Sequence, residues 1–161
     1  MIRIVHDPKY NYKTMFNTEN GHYVRMSDEQ YASFPHLIDI GVMGSCEHGR
    51  SGLCMKAGVK CYQNGLRTSK TNMTLEDFKR VINEIKSRTF EVALGGRGDP
   101  DMHENFEEML AYARQNHVVP NFTTSGLGMT PEKAAICKNL AGAVAISQYS
   151  RIKSVKLRRR K

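Results

Sequence analysis

Three cysteines lie in one glycine-studded stretch directly after an apolar run: Leu37-Ile-Asp-Ile-Gly-Val-Met-Gly-Ser-Cys46, then Cys54 and Cys61. Their spacing is Cys-x7-Cys-x6-Cys. Three thiolates on one loop can converge on one soft metal centre. Three, rather than four, leave an iron or a zinc with an open position, and reactions take place at open positions. The fourth cysteine, Cys137, sits far along the chain in a helical pattern beside Ala134 and Leu140, and reads as a core residue. His48 shares the loop; it has the chemistry to ligate a metal, but reads first as a solvated histidine. Met43 and Met55 read as packing residues. A Cys46–Cys61 disulfide is the competing reading of the loop. The three-plus-one arrangement and the lack of an export signal argue instead for reduced thiols.

A second group of residues with chemical potential is Gly95-Gly96-Arg97-Gly98-Asp99-Pro100. Consecutive glycines let backbone approach a ligand and expose N–H groups. Asp99 supplies a carboxylate suited to an amine. Arg97 suits either an anionic group or a solvent-facing turn. The run is not Gly-x-Gly-x-x-Gly, because Pro100 and Asp101 occupy the place of a third glycine, so the match to a dinucleotide fingerprint is poor. His103, at the entrance of the following helix, reads as a surface residue.

The elements that must position these groups alternate regularly. Leu37–Val42 predicts a buried strand, and the cysteine loop follows it. Thr74 predicts an N-cap for a helix with Leu75, Phe78, Val81, Ile82 and Ile85 on one face. Phe90–Leu94 is a second strand, Asn105–Asn116 a second helix, and Val118–Thr123 a third strand. Thr130-Pro131 opens a third helix to Leu140, and Ala143–Ile146 is a fourth strand. Short apolar strands separated by helices predict right-handed βαβ units and a parallel sheet. In such sheets ligands gather at the carboxyl ends of the strands. The cysteine loop, Gly95–Pro100, Thr123–Gly126 and Ser147–Tyr149 all fall at that edge. Ahead of this alternation, residues 1–36 predict a β extension. Ile2–Val5 is a short strand, and Asn20-Gly21 turns a hairpin between Thr14–Phe16 and His22–Arg25. Ser27-Asp-Glu-Gln predicts a capped helical turn.

The chain has 161 residues and a formal charge of +8. Residues 151–161 carry seven of its 24 basic groups and no acid, which leaves 17 basic against 16 acidic residues in the body. The basic character is therefore a tail rather than a face, which argues against nucleic acid as a partner of the domain. No stretch approaches the roughly 18 apolar residues of a membrane span, and Met1-Ile-Arg-Ile-Val is too short an apolar run for a secretory signal. A cytoplasmic location is expected.

Taken together, a cysteine loop after the first strand, Gly-Gly and an acid-Pro after the second, Thr-Thr-Ser-Gly after the third and Ile-Ser after the fourth resemble the radical S-adenosylmethionine enzymes. The run Leu94-Gly-Gly-Arg-Gly-Asp-Pro-Asp-Met-His-Glu-Asn-Phe is similar to that family's second strand and the helix after it, and the resemblance spans Leu37 to Arg151. It implies an α/β fold: a partial (β/α) barrel of parallel strands. It implies that Cys46, Cys54 and Cys61 bind a [4Fe–4S] cluster and that Gly95, Gly96 and Asp99 bind the amine of S-adenosylmethionine. Ser125 and Ser147 match positions that contact the cofactor's carboxylate or ribose. The implied activity is reductive cleavage of that cofactor to a 5′-deoxyadenosyl radical, fed by an electron donor such as flavodoxin or ferredoxin. The sequence departs from the family in its cluster motif, usually Cys-x3-Cys-x2-Cys, in an aspartate where glutamate is usual, and in Val59 where the family has an aromatic residue.

Three and a half βα units are expected, in residues 37–150, against about six in the family. The patterned sequence stops at Arg151, where the basic tail of residues 151–161 begins, so a truncated radical enzyme with poor activity of its own is expected. The substrate is not legible. Two other classes stay open. One is a non-catalytic iron–sulfur or zinc module, and the other is an α/β domain whose basic tail docks on nucleic acid.

Overall fold

The computed structural model of the chain describes residues 1–27, 30–52, 56 and 70–147. Two sheets make up the described fold. The first is an antiparallel meander of β1 (Ile2–Asp7), β2 (Tyr12–Asn17) and β3 (Tyr23–Met26). The hairpin expected at Asn20-Gly21 joins β2 to β3, and Gly21 takes the positive φ of 72° that such a turn favours. The pairing of β1 with β2, from Ile2↔Asn17 to Asp7↔Tyr12, was not expected. The four residues between those strands carry no Asn-Gly signal, and Asn11 turns the chain with φ of 44°.

The second sheet holds β4 (Leu37–Met43), β5 (Glu91–Gly96), β6 (Val119–Thr124) and β7 (Val144–Ile146), all parallel and adjacent in chain order. Helices α2 (Leu75–Ile85), α3 (Phe106–Gln115) and α4 (Pro131–Leu140) form the crossovers. Their buried side chains Phe78, Ile82, Phe106, Met109 and Leu110 share one core with Ile40, Val42, Val92, Leu94 and Phe122. Alternate strand positions face the other way: Asp39 and Gly41 are exposed, and Ala93, Gly95 and Asn121 are half-buried. One apolar face under helices and one open face, with strands in sequential order, is the build of a partial barrel. Thr74 caps α2 and Thr130 caps α4, each accepting the expected amide, from Asp77 and Lys133.

The meander is fastened to the amino-terminal edge of the parallel sheet. Phe16 stacks on Phe90 at 5.1 Å between ring centres, and Val119 packs with both. Arg3 donates to the carbonyls of Lys86, Thr89 and His117. Arg114 reaches those of Thr18, Leu140 and Ala141. Three of these carbonyls, those of Lys86, Leu140 and Ala141, stand at helix ends, where the last carbonyls lack a partner within the helix. His36, at the junction, is ringed by Tyr12, Tyr23, Phe34 and Phe90. Burial pushes its pKa down from the usual 6.5, with the Arg25 charge acting in the same direction and Asp7 opposing. Desolvation and the hydroxyl of Tyr12 push the Tyr23 phenol up to about 12.

The helical turn expected at Ser27–Gln30 includes Asp28 and Glu29, which lie outside the described residues, as do Cys54, Cys61 and the tail. Among the described residues no helix is long and apolar enough to cross a membrane.

Candidate functional site

The carboxyl ends of the four parallel strands carry the residues singled out in the sequence, and glycines decide how closely the loops meet. A Cβ on Gly98 would lie 2.4 Å from the Ser45 carbonyl oxygen and 3.3 Å from Cys46 Cα. The acid loop after β5 is therefore pressed on the start of the cysteine loop. Gly96 has φ of 117°, and a Cβ there would meet the Met43 carbonyl at 2.4 Å. A Cβ on Gly44 would meet the Thr71 carbonyl at 2.2 Å, where the chain returns beside β4. The return is pinned by Met73 N–H on the Val42 carbonyl at 2.9 Å and Gly44 N–H on Asn72 Oδ1 at 3.0 Å. Gly95 differs from these three: a Cβ there would meet nothing within 4 Å. It leaves open space at the strand end rather than permitting a protein contact.

Cys46 stands at the amino end of a short helix, α1 (Glu47–Ser51), inside the stretch read as loop. Its Sγ accepts the Gly49 amide at 3.2 Å. Hydrogen bonds to cysteine sulfur are one means by which proteins tune iron–sulfur centres. Gly52 ends the helix in the left-handed conformation, φ 69°. No apolar periodicity announces so short a helix, which is why the sequence did not show it. Cys46 is a free, half-buried thiol, and Cys137 is free and buried, its pKa raised by burial. Cys137 packs in the core as expected. Among the described residues no three ligand-type side chains form a metal-sized group; two of the three expected ligands lie outside them.

Asp99 and Ser125 meet directly. Asp99 Oδ2 accepts the Ser125 amide at 3.0 Å and the Ser125 hydroxyl in a short hydrogen bond. His48 joins them, with Nε2 at 3.0 Å from Asp99 Oδ2 and 3.0 Å from Ser125 Oγ. A lone pair on Nε2 would face the carboxylate oxygen repulsively, so Nε2 carries the proton and donates to both oxygens. The serine proton goes to Asp99. His48 therefore has no free base nitrogen facing Ser125, and the trio is not built to activate a nucleophile. The expectation that His48 is solvated is corrected: it is 8% exposed, because its ring closes over the acid loop.

His103 is likewise buried rather than on the surface, at 3% exposure. Its Nδ1 accepts the Asn105 amide at 2.9 Å, so Nε2 donates to the Met73 carbonyl at 2.9 Å and ties α3 to the return segment. Asp101 is fully buried below the site. Its Oδ1 accepts from Thr124 Oγ1 at 2.7 Å, and its carbonyl accepts from Lys133. This links the acid loop to β6 and α4. Ser147 N–H donates to the Thr124 carbonyl at 2.8 Å, which puts Ser147 beside Ser125 on the same edge. The Arg97 amide donates to the Met43 carbonyl at 3.0 Å. Sequence reading missed His48, Gly44 and Gly98 as site residues. The signal was present in Gly98 preceding Asp99 directly and in His48 following Cys46 by two positions.

No family model matches the chain. It is 32% identical over 83 residues, 51% of its length, to the mycofactocin maturase MftC of Mycolicibacterium smegmatis. It is equally identical over 82 residues to MftC of Mycobacterium tuberculosis. It spans about a fifth, 21%, of the length of these curated relatives. Among solved structures, Streptococcus suis SuiB bound to S-adenosylmethionine superposes with a TM-score of 0.65 at 11% identity, over 90% of this chain and 46% of SuiB. The sequence likeness to MftC over half of this chain and the fold shared with SuiB both support the resemblance to radical S-adenosylmethionine enzymes. BtrN in complex with AdoMet and 2-DOIA shares the fold at a TM-score of 0.55 and 13% identity, over 72% of this chain and 46% of BtrN. Radical S-adenosylmethionine proteins use a [4Fe–4S] cluster and S-adenosylmethionine, and the parallel strands here are part of the barrel that superposes on SuiB.

Proposed function

We propose that the chain binds a [4Fe–4S] cluster through Cys46, Cys54 and Cys61, and S-adenosylmethionine through Gly95, Gly96, Asp99, Ser125 and Ser147. When bound, the cluster supplies the electron for reductive cleavage of the sulfonium to a 5′-deoxyadenosyl radical. The observation that carries the reading is the contact of the cysteine loop with the acid loop, made by Gly98 against Ser45 and Cys46. It sets a free thiol, an open glycine and a carboxylate side by side on one sheet edge. That donor set fits both groups: soft sulfur for iron, and a carboxylate for an ammonium. All three described hydrogen bonds to the Asp99 carboxylate fall on Oδ2, which leaves Oδ1 to accept from the amine. Gly95 keeps the strand end free of side chain where the cofactor would lie. In this reading residues 37–150 form the cofactor-binding partial barrel, 1–36 a β extension under it and 151–161 a basic tail. The reducing electron comes from a donor such as flavodoxin or ferredoxin.

Anaerobic reconstitution with iron and sulfide tests the reading. Cys46→Ala, Cys54→Ala and Cys61→Ala should each lose most of the bound iron and the charge-transfer absorption near roughly 400 nm expected of thiolate-bound clusters, while Cys137→Ala should keep both. Asp99→Asn should keep the iron and bind S-adenosylmethionine more weakly. A colourless protein holding one zinc would favour the non-catalytic module instead.

A further inference from the structure

We propose that His48 is a positioning residue for Asp99, coupling the cysteine loop to the cofactor's amine site; this rests on the reading above. His48 is two residues past Cys46, on the helix that Cys46 caps. Its side chain is 10% exposed and that of Asp99 is 18% exposed, so the pair is largely shielded from water and a misplaced carboxylate would not be cheaply resolvated. Nε2–H and the Ser125 amide and hydroxyl all bind the same oxygen, Oδ2. Three donors on one oxygen fix the plane of the carboxylate and reserve Oδ1 for a ligand. Two of those donors are the amide and hydroxyl of Ser125, just past the end of β6. The third comes from the cysteine loop, and it is the only one of the three that moves with Cys46.

This has a consequence for binding. If the cysteine loop is displaced, Asp99 loses one of its three restraints, and the ammonium meets a carboxylate that must be reordered on binding. If the loop is in place, the carboxylate is set before the ligand arrives, and less ordering cost is met on binding. His48 touches neither the amine nor the sulfonium in this arrangement; it acts through Asp99.

A histidine that only stitches a loop would give different results from one that sets Asp99. Nitrogen NMR of the protein before reconstitution should show His48 as the Nε2–H tautomer; the Nδ1–H tautomer would overturn the pairing. In reconstituted full-length chain, calorimetric titration with S-adenosylmethionine should show His48→Phe binding about tenfold more weakly, the loss of one charge-assisted hydrogen bond. Iron per chain should be unchanged. His48→Gln, which can present an N–H near the same place, should recover most of that loss. In an Asp99→Asn background, His48→Phe should change affinity less than about twofold, because the partner it acts through has lost its charge. An equal loss in both backgrounds, or wild-type affinity in His48→Phe, would overturn the proposal. Should the wild-type protein take up no iron or bind no cofactor, the functional reading itself fails, while the tautomer still reports on the His48–Asp99 pair.

Discussion

Replacing Gly98 by alanine tests whether the cysteine and acid loops are truly in contact. The methyl group would lie 2.4 Å from the Ser45 carbonyl oxygen, almost an ångström inside the approximately 3.3 Å at which carbon and oxygen normally approach. The obstacle is backbone, so no rotamer change relieves it. Gly98 is not among the residues with positive φ, so the cost is steric and not conformational. Overpacking of this kind costs about 1–3 kcal/mol, and at about 2–4 °C per kcal/mol for a chain of this size the melting temperature should fall by several degrees. If the loops part instead, the shift needed is about 1 Å, enough to impair a site whose parts must meet. Gly95→Ala is the matched control. Its methyl group meets nothing within 4 Å, so the melting temperature and iron content should match wild type while S-adenosylmethionine binding weakens. Differential scanning fluorimetry, an iron assay and calorimetry on both variants decide the matter. Gly98→Ala with wild-type melting temperature and iron content would show that the close contact does not exist.

Arg114→Met should destabilise the fold by about 2–3 kcal/mol, because three carbonyls on two elements lose a charged donor that is only partly shielded; urea unfolding checks it. His36 titrates below its usual 6.5 in the folded state, so the unfolded chain takes up the proton first. Stability should therefore be full above about pH 6.5 and decline as the pH falls below it, and His36→Phe should flatten that decline in urea midpoints taken from pH 7.5 to 5. His103→Leu should lower the melting temperature by leaving the Met73 carbonyl and the Asn105 amide without their partner, at about 1–3 kcal/mol per buried unpaired group.

The strand–helix alternation was legible because its signals are local. Thr74 and Thr130 cap where their positions predict, and the apolar faces of α2 and α3 hold the periodicity that placed them in the core. Asp99, Ser125 and Ser147 could be placed on one edge because parallel strands share a direction. What sequence could not show is contact between segments far apart in the chain. His48 and Asp99 are 51 positions apart, and His48 and Ser125 are 77 apart. The burial of His48 follows from those contacts, not from its neighbours, which read as a polar loop. The same holds for Arg3 and Arg114, whose carbonyl partners are all more than 80 and more than 25 residues away, respectively. In sequence Gly98 is one glycine of several, and what sets it apart is the distant Ser45 carbonyl packed against it.

Electron paramagnetic resonance of the reduced, reconstituted protein, with and without S-adenosylmethionine, bears most directly on a cluster and a cofactor sharing one sheet edge. The cluster signal should change on adding the cofactor in wild type and in Cys137→Ala, should change only at higher cofactor concentration in Asp99→Asn, and should be absent in Cys46→Ala. A cluster signal that survives Cys46→Ala, or one that cofactor leaves unchanged in wild type, would contradict the shared site.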